Sequence, residues 1–267
     1  MSIVKIGGSE GVNFDLVCDD IADLVRQGTQ LVVVHGGSHA TTTLATQLGH
    51  PPTFITSPSG HTSRRTDRRT LEIFQMACRG VLNQGLVERL QKRGINAAGI
   101  SGMDGRTWEG ERKTSIRSVE QGRTILIRDD LSGSVQTVNP ALIQAMLGAG
   151  FVPVVSPPAI SVDHQPINVD ADTAAARTAV ALRGDALLLL SNVRGVLRRF
   201  PDESTLIERV DRAAIDETAG LVQGRMKRKV LAAGDAIRGG VRCAVIADAR
   251  VPSAISDALN GRGTVFQ

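Results

Sequence analysis

The sequence predicts an α/β protein of three layers, with a mainly parallel central sheet covered on both faces by helices. Two observations carry this. Short apolar runs, β-branched in residues 31–34 and 151–155 and leucine-rich in 186–190, have the length and composition of buried strands. Between them, apolar residues recur at helical spacing, so strands and helices alternate along the chain, as in parallel sheets with crossover helices.

The elements follow in order. Residues 2–6 form a strand that runs out in Lys5-Ile6-Gly7-Gly8. Phe14, Val17, Cys18, Ile21, Leu24 and Val25 line one side of a helix that stops near Gly28. The second strand, 30–35, is cut short by Gly36-Gly37, and Ser38 leads into a helix through Leu44 and Leu48. A strand, a glycine turn and a helix leave bare backbone N–H groups at a helix N-terminus, where anions bind. Residues 51–60, rich in Pro, Ser and Thr, read as a loop. Arg64, Arg65, Arg68 and Arg69 crowd the entrance to a long helix, 70–93, whose buried side carries Leu71, Phe74, Cys78, Leu82, Leu86 and Leu90.

Residues 95–100 return as a strand. Residues 106–138 are polar with short alternating segments, which reads as hairpins outside the main sheet and beside a ligand. Asn139-Pro140 opens a helix to residue 147, a core strand spans 151–155, and Pro157-Pro158 stops it. Asn168-Val169-Asp170-Ala171-Asp172 leads into an alanine-rich helix, 173–182. The strand at 186–190 turns through Ser191-Asn192-Val193-Arg194-Gly195-Val196. Residues 211–220 read as helix. Gly224 begins another, bearing Met226 and Lys229 and running past Ile237. A strand at 241–247 and a short helix at 254–259 follow.

Size and composition narrow the function. With 267 residues, the chain fits one large domain or two closely joined lobes. Aromatic residues make up 3%, with no Tyr, which argues against a protein that stacks nucleic-acid bases. The net charge of +4 suits an anionic ligand or an acidic partner. Cys18, Cys78 and Cys243 lie far apart, as expected of reduced thiols in a cytoplasmic protein. The histidines, His35, His39, His50, His61 and His164, show no metal spacing, so no metal held by protein ligands is expected. The chain opens directly on a strand, so no signal peptide is expected, and its apolar runs are too short to span a bilayer.

Familiar nucleotide motifs are missing: there is no Gly-Lys dipeptide of a P-loop, no Gly-x-Gly-x-x-Gly after a strand, and no His-Arg-Asp or Asp-Phe-Gly. What remains is two glycine-pair turns, Lys5, Lys229, an arginine cluster, Asn168 and Asp172. These are parts for holding negative charge, not an acid–base pair. Phosphoryl transfer to a carboxylate needs such parts. That nucleophile, with a pKa near ~4.3, is ionised at pH 7 and needs no general base. Catalysis is then alignment and charge stabilisation by backbone N–H groups, lysines and magnesium.

Lys5-Ile6-Gly7-Gly8, His35-Gly36-Gly37, Asn168 to Asp172 and Gly224-x-Met226-x-x-Lys229, in this order and spacing, resemble the amino acid kinase family, acetylglutamate kinase branch. Within it, residues 63–67, 190–193 and 224–229 look more like the carrier-protein aminoadipate kinases of lysine biosynthesis. The resemblance implies a carbamate kinase-like fold, with an acceptor lobe at 1–180 and a nucleotide lobe at 181–267. It implies ATP and Mg2+, a small acidic carrier protein as partner, and a homodimer. Lys5 and Lys229 would stabilise the transferred phosphoryl group, with Asp172 positioning them. Gly36, Gly37, Arg64 and Asn168 would bind the acceptor. Gly7, Gly8, Asn192, Val193, Gly195, Leu197, Gly224 and Met226 would frame the nucleotide. Arg65, Arg68, Arg69 and Arg225 would face the carrier.

Two positions depart from acetylglutamate kinases. Asn192 stands where those enzymes usually have Asp, and Arg225 where they usually have Gly. Acetylglutamate therefore stays open as an alternative acceptor, and a non-catalytic sensor on the same fold stays open as an alternative class. Asp172 also has two readings at this point, as the carboxylate between the lysines or as the N-cap of its helix.

Overall fold

In the computed structural model, every residue is described except Ser9, Ser59, His61, Gln121 and Gly122. Ser59 of the 51–60 loop and His61 of the histidine set therefore lie outside the described residues.

In chain order the elements are β1 (Ser2–Ile6), α1 (Phe14–Arg26), β2 (Leu31–His35), α2 (Ser38–Gln47), β3 (Phe54–Thr56) and β4 (Thr62–Arg64). Next come α3 (Arg68–Gln75), a π-helical stretch (Met76–Asn83), α4 (Gln84–Lys92) and β5 (Ala97–Ser101). Strands β6 (Trp108–Arg112), β7 (Ile116–Glu120), β8 (Arg123–Ile127) and β9 (Gly133–Val138) precede α5 (Ala141–Gly148) and β10 (Val152–Ser156). Then follow β11 (Ala159–Ser161), β12 (Pro166–Ile167), α6 (Ala171–Ala181), β13 (Ala186–Ser191), β14 (Arg209–Val210) and α7 (Ile215–Leu221). The last are α8 (Gly224–Arg238), β15 (Cys243–Asp248), α9 (Ala254–Leu259) and β16 (Thr264–Phe266).

The main sheet has eight strands in the order β14-β16-β15-β13-β1-β2-β10-β5. Its core, from β15 to β5, is parallel throughout. The sheet divides cleanly by sequence, since the four strands on one side of the β13–β1 pairing come from residues 181–267 and the other four from residues 1–180.

Strand periodicity then decides which way each side chain points. Ile3, Val32, Val34, Leu187 and Leu189 belong to a core shared with Ala174 and Ala175 of α6 and Val230 and Ala233 of α8. Val4, Ile6, Val33, Leu188 and Leu190 face the opposite core, with Val17 and Ile21 of α1, Leu86 and Leu90 of α4, and Ile255 of α9. Lys5 has the parity of Ile3, so its side chain falls on the face covered by α6 and α8.

The α/β class and the hairpins of 106–138 are present as read. Strands β6 and β9 join β11 and β12 in a four-stranded sheet, and β7–β8 form a separate ribbon. Other details differ. The supposed loop at 51–60 contains β3, which pairs antiparallel with β4. The helix expected from residue 70 starts at Arg68, because the Asp67 carboxylate accepts from the Thr70 N–H at 2.8 Å and so sets the N-cap. Its middle eight residues are π-helical. The alanine-rich helix also starts earlier, at Ala171. Strand β16, antiparallel to β15, was not foreseen, since three residues are too few to show a period.

Candidate active site

Strands β13 and β1 are parallel, but the strand order turns between them, running outward to β2 on one side and to β15 on the other. In open α/β sheets a crevice opens at such a point, beyond the carboxyl ends of the strands. Here both glycine turns sit there. The Gly7 N–H donates to Leu190 O on β13, and the Gly36 N–H donates to Ile6 O on β1. The turns touch backbone to backbone. A Cβ on Gly8 would lie 2.5 Å from Gly37 N, and one on Gly37 would lie 2.2 Å from the Cys78 Sγ. Glycine is therefore required at both positions for packing as well as for bare N–H groups. Gly37 is the N-cap of α2, so its turn feeds the positive end of that helix.

Three buried charges meet beneath the turns. The Lys5 Nζ lies 2.7 Å from the Asp172 Oδ1, and the Lys229 Nζ lies 2.9 and 3.0 Å from the two Asp172 oxygens. One carboxylate thus ties a strand end to two helices. Asp172 is not the N-cap of α6. That part is played by Asp170, which accepts from the Thr173 N–H at 2.9 Å and also pairs with Arg228 at 3.4 Å. Asp172 stands in the first turn, with its carboxylate turned to the lysines. Burial alone would raise its pKa, but Lys229 and Lys5 outweigh burial and hold it well below the usual carboxylate range. Burial pushes Lys229 down to about 8, with Asp172 opposing and Lys5 adding to the shift. The trio carries one net positive charge while both lysines are protonated, in a place poorly served by water.

Arg64 is held from three sides. Its Nη2 donates to Ser38 O at 3.1 Å and to the Thr42 Oγ1 at 2.8 Å, and its guanidinium lies over Phe54, 5.3 Å from the ring centre. Its Nη1 is buried with no hydrogen-bond partner among the described residues. A buried charged donor left over in this way costs free energy unless an acceptor arrives. Asn168 donates to the Thr66 Oγ1 at 3.0 Å, and its backbone bridges Ser132 beside β9.

One cavity of about 980 Å³ collects these groups. It is lined by Lys5, Gly7, Gly8, Gly36, Gly37, Arg64, Asn168, Asp172 and Lys229. Asn192, Val193, Gly195, Leu197, Arg225 and Met226 line it too. Gly224 does not; it opens α8 with a φ of 58°, in the left-handed region. Arg65, Arg68 and Arg69 stand apart from the cavity lining. Arg65 pairs with Asp129, and Arg68 and Arg69 both reach Glu72. Arg68 and Arg69 line a second hollow with Arg112 and Gln165. The arginines expected to face the carrier are thus divided, with Arg225 in the main cavity, Arg68 and Arg69 in the second hollow, and Arg65 in the lining of neither.

Sequence reasoning missed Phe54 under Arg64, the Asp170–Arg228 pair, and Phe200 and Arg250 in the cavity wall. Phe200 is the one with a visible signal, being one of six Phe in an aromatic-poor chain, next to Pro201. Among the described residues no group of three His, Cys, Asp or Glu side chains could hold a metal, and no helix is long and apolar enough to cross a membrane.

Residues 1–248 match the model of the amino acid kinase family. The chain is 53% identical over 265 residues to the LysW-aminoadipate kinase of Deinococcus radiodurans, covering 99% of this chain and 91% of that one. It is 50% identical over 269 residues to the LysW-aminoadipate kinase of Thermus thermophilus, over the full length of both. Among solved structures, a carbamate kinase from Giardia lamblia bound to AMP-PNP superposes with a TM-score of 0.70 over 99% of this chain and 97% of the other. At 14% identity that likeness concerns the fold.

Proposed function

This chain belongs to the amino acid kinase family, and we propose that it transfers the γ-phosphoryl group of ATP to the distal carboxylate of L-2-aminoadipate carried on a small acidic protein. The product is an acyl phosphate, a step of lysine biosynthesis by the aminoadipate route. The observation that carries the chemistry is the pair of lysines on one buried carboxylate, in the wall of the same cavity as the two glycine turns. A sensor of amino acids would have no use for two buried ammonium groups that gain most from charge developing during transfer. The identity of 53% and 50% to two LysW-aminoadipate kinases, over 99% and 100% of this chain, supports this acceptor over acetylglutamate.

The steps follow from the geometry. The acceptor carboxylate, already ionised, sits against the Gly36-Gly37 turn, with Arg64 and Asn168 on the substrate's α-carbon end. One of its oxygens attacks the γ-phosphorus. The new P–O bond forms as the bond to the β,γ-bridging oxygen breaks, and ADP leaves with that electron pair. No proton moves. Lys5 and Lys229 stabilise the negative charge on the transferring group and the leaving oxygen. Asp172 holds both ammonium groups in place. Gly7 and Gly8 approach the phosphates, and Asn192, Val193, Gly195, Leu197 and Met226 frame the nucleotide, with Gly224 setting the start of α8. Residues 1–180 thus serve the acceptor and 181–267 the nucleotide. Magnesium would arrive on the ATP phosphates, held largely by phosphate and water, which suits a site without a carboxylate cluster. We place the enzyme in the cytoplasm, acting as a homodimer.

Arg64→Ala should act on the acceptor. Its unpaired Nη1 is expected to meet the substrate's α-carbon end, so the acceptor KM should rise at least about tenfold with kcat less affected. Initial rates at saturating ATP measure this, and a normal acceptor KM would remove Arg64 from the substrate.

The partner is tested by comparing kcat/KM for acetylglutamate, free aminoadipate and carrier-linked aminoadipate at low and high salt. We assign Arg65, Arg68, Arg69 and Arg225 to steering an acidic carrier. The carrier-linked form should win by orders of magnitude at low salt and lose much of its advantage at high salt. Arg68→Glu or Arg69→Glu should reduce the same advantage. If free acetylglutamate is best and salt is without effect, the acceptor is acetylglutamate and the carrier reading is wrong.

A further inference from the structure

A buried polar chain runs beneath the Gly36-Gly37 turn and is not used by the chemistry above. The Arg79 Nη2 donates to Gly99 O on β5 at 2.8 Å, and its Nη1 donates to the Asn83 Oδ1 at 2.7 Å. The Asn83 Nδ2 lies 2.9 Å from Val154 O on β10 and 3.1 Å from the His35 Nε2. The His35 Nδ1 lies 2.9 Å from Gly36 O. His35 and Asn83 are both fully buried.

The proton positions follow from the one group that can only donate. Arginine donates, so the Asn83 oxygen accepts, and the Asn83 nitrogen must give its two hydrogens to Val154 O and the His35 Nε2. Nε2 is then the acceptor of a neutral imidazole, and the proton sits on Nδ1, donated to Gly36 O. Burial pushes the imidazole down to about 4, consistent with this neutral form. Because the peptide is planar and trans, holding Gly36 O toward the imidazole turns the Gly37 N–H the opposite way. Gly37 lines the cavity.

The π-helical stretch explains how Asn83 gets there. Cys78 packs against Gly37 and Asn83 reaches His35, yet the two are five residues apart. In an α-helix such positions point about 140° apart. The wider π turn, with its i to i+5 register, brings both to the same side. Two buried residues of that stretch thus support the glycine turn, one against its Cα and the other through its neighbouring histidine.

We infer that His35 is a positioning residue for the acceptor step, and that Asn83, presented by the π-helical stretch, fixes the tautomer in which His35 aims the Gly36–Gly37 peptide at the acceptor carboxylate. This rests on reading that turn as the acceptor's.

The test pairs two polar replacements of similar size. An Asn side chain can place its amide nitrogen near the position of Nδ1, and a Gln side chain can place its amide oxygen near that of Nε2, where it accepts from the Asn83 Nδ2. His35→Asn keeps a donor for Gly36 O, whereas His35→Gln keeps a partner for Asn83 and leaves Gly36 O without one. Whichever of the three acceptors turns over fastest serves as substrate for the full-length enzyme. His35→Gln should raise the acceptor KM at least about tenfold with the ATP KM within about twofold of wild type, and His35→Asn should recover most of that loss. Nitrogen-15 histidine NMR should show the Nδ1–H tautomer in wild type and its loss in Asn83→Leu, together with a raised acceptor KM. Equal kinetics for the two His35 variants, parallel changes in both KM values, or an unchanged tautomer in Asn83→Leu would overturn the inference. Gly36→Ala separates the layers, since its Cβ would meet nothing closer than 3.5 Å and so tests the turn without disturbing the packing. If it leaves the acceptor KM unchanged, the turn is not the acceptor's and both readings fall. If it acts while the His35 pair does not, only the positioning role falls.

Discussion

Lys229→Ala is expected to lower kcat by about 10²-fold or more in a protein that still folds, and Lys5→Ala to do the same. The reason is the timing of the charge. Each ammonium group is already paired with Asp172, so its stabilisation of bound ATP is partly spent. It gains most as negative charge spreads over the transferring group, which is the condition for an effect on kcat rather than on KM. The pH profile provides a second reading. Lys229 acts only when charged, and burial holds it down to about 8 despite Asp172. Hence kcat/KM, which reports the free enzyme, should fall as pH rises through about 8. Bound nucleotide adds negative charge beside Lys229 and should move the fall in kcat to higher pH. Lys229→Arg stays charged throughout, so any activity it retains should lack this alkaline fall. Wild-type turnover in either alanine variant would remove that lysine from the chemistry.

Much of this site can be read from the chain because it depends on local signals. A glycine pair directly after a β-branched run marks a turn whatever the tertiary context, and this holds for Gly7-Gly8 and Gly36-Gly37. Strand parity places Lys5 on the face of Ile3, which only needs to be combined with the helices covering that face. The split between Asp170 and Asp172 was not legible, because both stand at the start of the same helix. Which one caps it depends on where helix α6 begins, and the sequence pattern put that two residues late. The π-helical stretch was hidden for a similar reason, since one widened turn barely disturbs an apolar pattern that runs from Leu71 to Leu90. Arg65, Arg68 and Arg69 looked like neighbours of Arg64, but side-chain direction and nearby acids decide where a guanidinium rests. Glu72 and Asp129 draw those three away from the cavity.

Asp172→Asn should be the most damaging change to stability in the site. It leaves two buried ammonium groups facing a neutral amide, and removing one partner from a buried ionic group typically costs ~3–5 kcal/mol. The resulting repulsion should drive Lys229 further toward its neutral form, so activity should be lost along with stability. Lys229→Met makes the contrast. It leaves Asp172 and Lys5 as a matched pair 2.7 Å apart, so it should cost less stability than Asp172→Asn while losing comparable activity. The acid limb of stability has a definite sign. Asp172 is held well below the usual carboxylate range in the folded state, with the lysines overcoming burial. Its contribution is therefore complete above the unfolded value of ~3.9 and is lost as pH falls from there toward the folded value. Urea midpoints measured between pH 7 and pH 3 should decline for wild type at the acid end, and that part of the decline should be missing in Asp172→Asn. If Asp172→Asn unfolds at the wild-type urea midpoint at pH 7, the carboxylate is not what holds the two lysines together, and its assigned role fails with it.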